Sequence, residues 1–516
     1  MKLFSYILPF LLPTFLFGDH EKLLPATTPA VFSISDYKMW REHFPNTGLG
    51  KFMTSDITNG LRNGLSEELE SRPALKEFLD SKIIRKYCDG QLTVCAIPVG
   101  TRMELCLYVQ CKDGAQANTC QQEIDEIFGA QVETNRIDNT VLFSSSTPAI
   151  KNITSSSKAL ANDQRFIKTT ALAINEGNDS LFWFFFDAIQ LGEFRRSNRD
   201  DSAKSLDWLG DEGFNAVKAI GGCGTLKTKN DPTNFVAYID VEKPFTKGMR
   251  LFDLANSKEL LANHLFENAL SRGKLGIDWK KSLTNVETVF DRLVGGGEEG
   301  VFELVIEDLK TADDGPKIDL QKEFVELLNG PLLFGQVLVK DQPQTVIAVS
   351  ANSDKEVANT VSRFYADDPN AKSLQDAGFP AWLISPIGND SGIKNYTVAV
   401  HSNHFWVASS IDAIKRAVEK SQTKQQSIDS TIEKACFCYE LNFESVSGLR
   451  VNQLRNGKMH GLLGRLLKEL ELESALENAD TSKWPSNKEV ANYFASWLRI
   501  VGENRRNGFR IEGSIE

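Results

Sequence analysis

VLFSSSTPAIKNI at residues 141–153 and FWVASSIDAIKRA at residues 405–417 carry one pattern twice. An apolar run leads into serines, and Ala-Ile-Lys follows two residues later. A buried strand that stops at a polar turn and passes at once into a helix accounts for it. Ser146 and Ser410 stand at N-cap positions, where a serine oxygen accepts from an unpaired backbone N–H of the first turn. Pro148 falls in that first turn, where its missing N–H is not needed. The stretch describes how the chain is built, not a reaction it performs.

Outward from this stretch, other landmarks occur twice in the same order. AVFSISDYKMW ends a strand at Asp36, and GKLGIDWKKS ends one at Asp278. CKDGAQANT (111–119) aligns with NSDKEVANT (352–360), which makes Asp113 and Asp354 the expected helix N-caps. LFWFFFDAI (181–189) matches CFCYELNFE (436–444), and WLGDEGFN (208–215) matches WLRIVGEN (497–504), setting Gly224 against Gly513. The second set is 23 residues longer near 365–395, where GFPAWLIS suggests an added strand.

Within each set the order is strand, helix, hairpin, helix. YTVAVHSNHFWVAS turns at Ser402-Asn403, and NFVAYIDVEKP (234–244) forms a hairpin with GGCGTLKTK (221–229). VFELVIE (301–307) reads as a strand after the Gly-rich turn VGGGEEG (294–300), and GGCG (221–224) as a turn. Residues 456–479 read as a long amphipathic helix, with Leu463, Leu466, Leu467 and Leu470 in register. The expected fold class is α+β: two tandem related domains of antiparallel sheet, with helices packed on one face of the sheets. The expected boundaries are a signal peptide at 1–18, a first α+β repeat at 19–244 and a connecting segment at 245–270. A second repeat with C-terminal helices then spans 271–516.

Lys2, the uncharged run Leu3–Phe17 and Gly18 fit an export signal; the run is too short for a bilayer span, which needs ~20 residues. No later stretch reads as transmembrane. Cleavage there would leave 57 basic against 69 acidic residues, well mixed along the chain. An acidic, dispersed balance argues against nucleic acid and against anionic membrane surfaces. The expected location is the periplasm or the extracellular space.

Eight cysteines in an exported chain invite disulfides. Five cluster: Cys88, Cys95, Cys106, Cys111 and Cys120. LTVCAIPVGTRMELCLYVQ reads as a hairpin turning at Gly100-Thr101, which puts Cys95 opposite Cys106. The backbone spacing of such a pair permits a bridge, but a hydrogen-bonded site holds the side chains apart. Connectivity among the five stays open. Cys436 and Cys438 face one side of a strand and read as buried free thiols.

LDWLGDEGFNAVKAIGG, the strand ending IDVEKPFTKGM, IDLQKEFVELLNG and VIAVSANSDKEVANTVSRFY together resemble a family of exported bacterial proteins. The opening LPATTPAVFSISDYKMWREHFPNTGLGKFM fits too. These proteins, of planctomycete and verrucomicrobial type, carry a domain of unknown function. The resemblance implies export, and brings no activity or catalytic residues.

No chemistry-bearing constellation stands out. His401 and His404 flank a hairpin turn but lack a third metal ligand in sequence. The Gly-rich stretches lack the Lys-Ser or Lys-Thr of a phosphate loop, and VSGLR (446–450) lacks the leading glycine of a nucleophile elbow. Glu298-Glu299 and Asp313-Asp314 are adjacent pairs, which point apart on a regular element. No catalytic, cofactor or metal residues are assigned. The leading expectation is an exported, non-enzymatic protein with a binding or structural role in the cell envelope, its partner an unknown protein or an apolar ligand. The alternative is a periplasmic carrier of an apolar ligand in a cavity under the curved sheets, lined by one face of SLFWFFFDAI, either Phe182, Phe184 and Phe186 or Trp183 and Phe185. A hydrolase with a spatially assembled site is the weaker third.

Overall fold

The computed structural model describes residues 20–47, 50–51, 82–100, 102–176, 180–197, 210–226, 233–258, 266, 269–313, 315–340, 342–385, 395–419, 434–442 and 497–515. The signal segment, the helix expected at 456–479, VSGLR, Thr101, Asp314 and the start of WLGDEGFN lie outside these residues.

Eighteen described strands form one antiparallel sheet. In chain order the first eight are β1 (Ala30–Ile34), β2 (Leu92–Val99), β3 (Arg102–Gln110), β4 (Glu133–Ile137), β5 (Thr140–Ser144), β6 (Phe182–Asp187), β7 (Val217–Gly224) and β8 (Thr233–Val241). The next five are β9 (Ser271–Leu275), β10 (Leu328–Val339), β11 (Gln342–Ala351), β12 (Ala371–Ser373) and β13 (Ala381–Ile384). The last five are β14 (Tyr396–His401), β15 (His404–Ala408), β16 (Phe437–Asn442), β17 (Trp497–Arg505) and β18 (Gly508–Ile515). β8 pairs with β18 at the centre. Outward on one side run β7, β6, β1, β2, β3, β5 and β4. On the other run β17, β16, β9, β10, β11, β15 and β14, then β13 and β12.

The registers correspond as well as the order. Phe182 lies opposite Gly224, which lies opposite Phe235; Phe437 lies opposite Gly502, which lies opposite Ile511. Phe235 and Ile511 therefore hold matching places. Across the seam Phe235 faces Gly513, Ile511 faces Ala237, and Val236 faces Glu512 between them. The central pairing thus reads the same from either side, about Val236 and Glu512.

Several sequence readings need correction against this geometry. Gly224 takes the register place that Gly502 takes, not that of Gly513, because WLRIVGEN is itself strand β17 whereas Gly213–Ala216 precedes β7 as a turn and a short 3-10 helix. Asp113 caps its helix by accepting from the Gln116 N–H, but the matching cap is Ser353, which accepts from Glu356. Ala-Asn-Thr therefore begins four residues after the cap in the first helix and five after it in the second, so the shared triplet is one residue out of phase with the caps. GGCG is not a turn. Its four residues lie within β7, and glycine is needed because a Cβ at Gly222 or Gly224 would fall 2.8 or 2.4 Å from the Phe184 or Phe182 ring. VFELVIE is helical, within Val301–Thr311. The Asp291 carboxylate accepts from the N–H groups of Gly300 and Phe302 at 2.8 and 2.6 Å, which anchors that helix start.

Both serine caps form as read. Ser146 accepts from Ala149 N and Ser410 from Ala413 N. The turn at Ser402-Asn403 has positive φ at both residues, the geometry that matches strand twist in a two-residue hairpin. Helices lie on both faces of the sheet, not on one. Gly114–Phe128 places Ala117, Cys120 and Ile124 on Val109, Val141 and Phe143. Thr147–Ser155 places Ala149, Ile150 and Ile153 on Cys106, Tyr108 and Leu142, which point the opposite way from the same strands. On the other side, Asp354–Phe364 and Ile411–Val418 divide the two faces in the same manner.

The first described residues are part of the core. Leu24 is buried in the cluster that holds Trp183 and Phe185. His20 is fully buried, its Nδ1 2.8 Å from the Thr93 hydroxyl, which lies 2.7 Å from that of Ser33. Burial pushes the His20 imidazole down to about 3. The folded state therefore keeps it neutral, while the unfolded chain takes up a proton below about 6.5. Stability is lost as pH falls beneath that value, by roughly 2 kcal/mol near pH 5 from this group. NMR titration should find the His20 ring still neutral near pH 5; a midpoint close to the ordinary histidine value would contradict its burial.

Candidate binding cleft at the central seam

Where β8 ends beside the turn joining β17 to β18, the surface opens into a cleft of about 970 Å³. The chain is stitched around it. Val241 N donates to Asn507 O at 3.1 Å, extending the seam ladder by one bond. Asn504 donates to Leu254 O at 2.6 Å and exchanges hydrogen bonds with Asn256 at 2.8 and 2.7 Å. Lys243 donates to Arg505 O at 2.6 Å and also to Asn504 Oδ1. Its ammonium lies 5.2 and 5.3 Å from the Phe245 and Phe509 ring centres, and the two rings stack at 6.2 Å. Burial lowers the Lys243 pKa, against the pull of Asp253. This lysine reads as a fixed part of the wall.

Lining charges come from separate elements. Lys168 projects from the π-helical turn Ile167–Ala171 and Lys218 from β7. Arg250 lies on the 3-10 helix Lys247–Phe252, and Arg506 on the β17–β18 turn. Among the described residues, Asp240, Glu242 and Asp253 stand against these four cations and Lys243. Lys218 pairs with Glu242 at 2.8 Å, and Lys168 approaches Asp240 at 3.9 Å. Among the described residues, the side chains of Arg250 and Arg506 form no ion pair or hydrogen bond. Val241, Pro244 and Phe245 give the cleft an apolar wall.

Beside the cleft the seam carries an ionic network. Glu176 accepts from Arg510 Nε at 2.9 Å and from the Tyr238 hydroxyl, and Arg505 reaches that hydroxyl at 3.2 Å. Tyr238 belongs to β8, whereas Arg505 and Arg510 belong to β17 and β18. Burial would raise the Glu176 carboxyl, but Tyr238 and the two guanidinium groups outweigh it and hold the pKa below its ordinary value.

The residues singled out in sequence gather elsewhere. Cys95 does face Cys106 across the β2–β3 hairpin, and all eight cysteines are buried free thiols. Cys88, Cys111 and Cys120 share one apolar cluster. His401 stacks on Phe379 at 4.3 Å, and His404 meets Ser402 O at 2.7 Å and Ser350 Oγ at 3.2 Å. No group of three metal-ligating side chains converges among the described residues. Glu298 and Glu299 are exposed, and Asp313 pairs with Lys317 at 3.2 Å. No described helix is long and apolar enough to cross a membrane. The cleft residues were missed because their charges are single and spread from 168 to 506. Their nearest sequence signals are Lys243, Lys247 and Arg250 in KPFTKGMR and the Asn-Arg-Arg-Asn-Gly turn at 504–508.

Glu176→Gln should lower stability by about 1 kcal/mol near neutral pH, after allowing for solvent screening. The contribution exists above the unfolded carboxylate pKa of about 4.3 and disappears as pH falls through the lower folded value. Urea unfolding of both proteins should therefore converge in strongly acidic buffer, and a gap unchanged by pH would contradict the ionic reading. No known protein family, curated protein or solved structure matches the chain, so the chemistry of the cleft rests on its own residues.

Proposed function

We propose that the chain is an exported binding protein of two tandem related α+β halves, with the seam cleft as its ligand site. One observation carries this reading: a cleft of about 970 Å³ lined from β7 and β8 on one side and from the β17–β18 turn on the other. That volume lies at the upper end of the range for small-molecule sites, roughly 300–1,000 Å³. The matching strand order and register about Val236–Glu512 support tandem relatedness, which would place the site where the halves meet. The apolar run before Gly18 and the resemblance to exported planctomycete and verrucomicrobial proteins support export to the periplasm or beyond. The lining holds lysines, arginines, amides and carboxylates, a set suited to recognition, and ordinary binding needs no more.

A second reading, a carrier of an apolar ligand, draws on the opposite kind of surface. Phe32 and Phe186 are each 40% exposed, and Phe182 and Phe184 are half-buried beside them. These rings share one face of β1 and β6, where helical cover from the described residues is thin. Trp183 and Phe185 on the reverse face are fully covered.

A thermal-shift screen of the purified mature chain, with small molecules grouped by charge and polarity, separates the two. Polar ligands should raise the unfolding temperature, and Asn285→Trp, which fills the cleft, should abolish the effect. If nothing polar binds and a fatty-acyl probe does, unaffected by Asn285→Trp, the carrier reading replaces this one.

A further inference from the structure

We infer that the ligand of the seam cleft bears an oxyanion, a carboxylate or phosphate group, held by Arg250 and Arg506. The inference rests on the proposed ligand site and goes further by naming what the site selects. The whole chain is acidic, with a formal net charge of −11, yet the described residues of the cleft lining run the other way, with five cations and three carboxylates. Local excess of the minority sign in a concave surface focuses potential toward an oppositely charged solute.

The five cations are not equivalent. Lys218 is neutralised by Glu242, and Lys168 is loosely matched by Asp240. Lys243 spends its donors on Arg505 O and Asn504 and rests on two phenylalanine rings. That leaves Arg250 and Arg506, whose guanidinium groups have no ionic or hydrogen-bonded partner among the described residues. Guanidinium is the side chain best matched to a planar or tetrahedral oxyanion, because its parallel N–H groups donate in pairs. The two come from opposite sides of the seam, from the 3-10 helix after β8 and from the β17–β18 turn, so one bound anion would tie both sides together. The cleft is far larger than a bare ion, and Pro244 and Phe245 offer apolar contact to the remainder of an organic acid or phosphate ester. Asn285 and Asn507 can donate to further oxygens.

The test is calorimetric titration of the full mature chain with inorganic phosphate, a phosphate monoester and a tricarboxylate. Arg250→Gln, Arg506→Gln and the double variant are compared by the same titrations. Both arginines are at least partly exposed, so folding should survive, and far-UV circular dichroism checks that it does. At least one organic anion should bind more tightly than inorganic phosphate, weaken with added salt, and lose tenfold or more in affinity in the double variant. Arg250→Lys with Arg506→Lys should retain part of that affinity. If a neutral compound binds and Asn285→Trp blocks it while the arginine variants do not, the oxyanion inference fails and the cleft remains a ligand site. If no anion and no neutral compound binds, both readings fail together.

Discussion

The β8–β18 ladder is the constraint on which the rest of the structure depends. A sheet edge exposes a row of unmet backbone donors and acceptors, and a fold with two such edges at its centre would present them for aggregation. Here each edge satisfies the other, from Thr233 opposite Ile515 to Asp240 opposite Gly508. The price is register. Because side chains alternate between faces, a slip of one residue would send Tyr238 and Arg510 away from Glu176 and break the seam network. The cleft depends on the same pairing, which sets the β17–β18 turn beside Val241 and Lys243, where the Lys243 and Asn504 hydrogen bonds then hold it.

Packing across the sheet follows one device repeated with different partners. Phenylalanine lies over glycine on adjacent strands at Phe182 and Gly224, Phe437 and Gly502, Phe334 and Gly273, and Phe235 and Gly513. The missing side chain lets the ring lie down on the backbone, which restores apolar contact that glycine alone would forfeit in a strand. On the reverse face the two sides diverge. Val31 and Phe185 pack in an apolar core, while the matching places hold Arg272 and Glu440, with Arg499 at 3.3 Å from the same carboxylate. An ion cluster of that kind replaces hydrophobic burial with fixed geometry and adds little net stability.

Much of this was legible from local chemistry. Ser146 and Ser410 announced two strand-to-helix junctions, and the hairpins at Gly100 and Ser402-Asn403 followed from turn preference. What failed did so where local signals compete with tertiary ones. GGCG looks like a turn until Phe182 and Phe184 are placed above it, and VFELVIE looks like a strand until Asp291 anchors it as a helix. Ser353 displaced Asp354 as cap because helix phase is set by what Val357 and Val361 must bury. The cleft was invisible because Arg250 and Arg506 are brought to one place only by the central pairing, which joins strands more than 260 residues apart. Neither the helices on both faces nor the merger into one sheet leaves a mark in local pattern.

Cross-strand disulfide trapping across the seam probes this account most directly. In an antiparallel ladder, directly opposed residues bring their Cα atoms to about 4.5–5.5 Å, within disulfide reach. Cys223 lies opposite Val236 on β7, so the test uses a Cys223→Ala background. There Val236→Cys with Glu512→Cys should oxidise readily to a single intramolecular crosslink while the fold is retained, and Val236→Cys with Ile511→Cys, on the opposite face, should not. Crosslinking at Ile511 instead, or none at either position in folded protein, would mean that β8 and β18 do not pair in this register and that the seam and its cleft are misplaced.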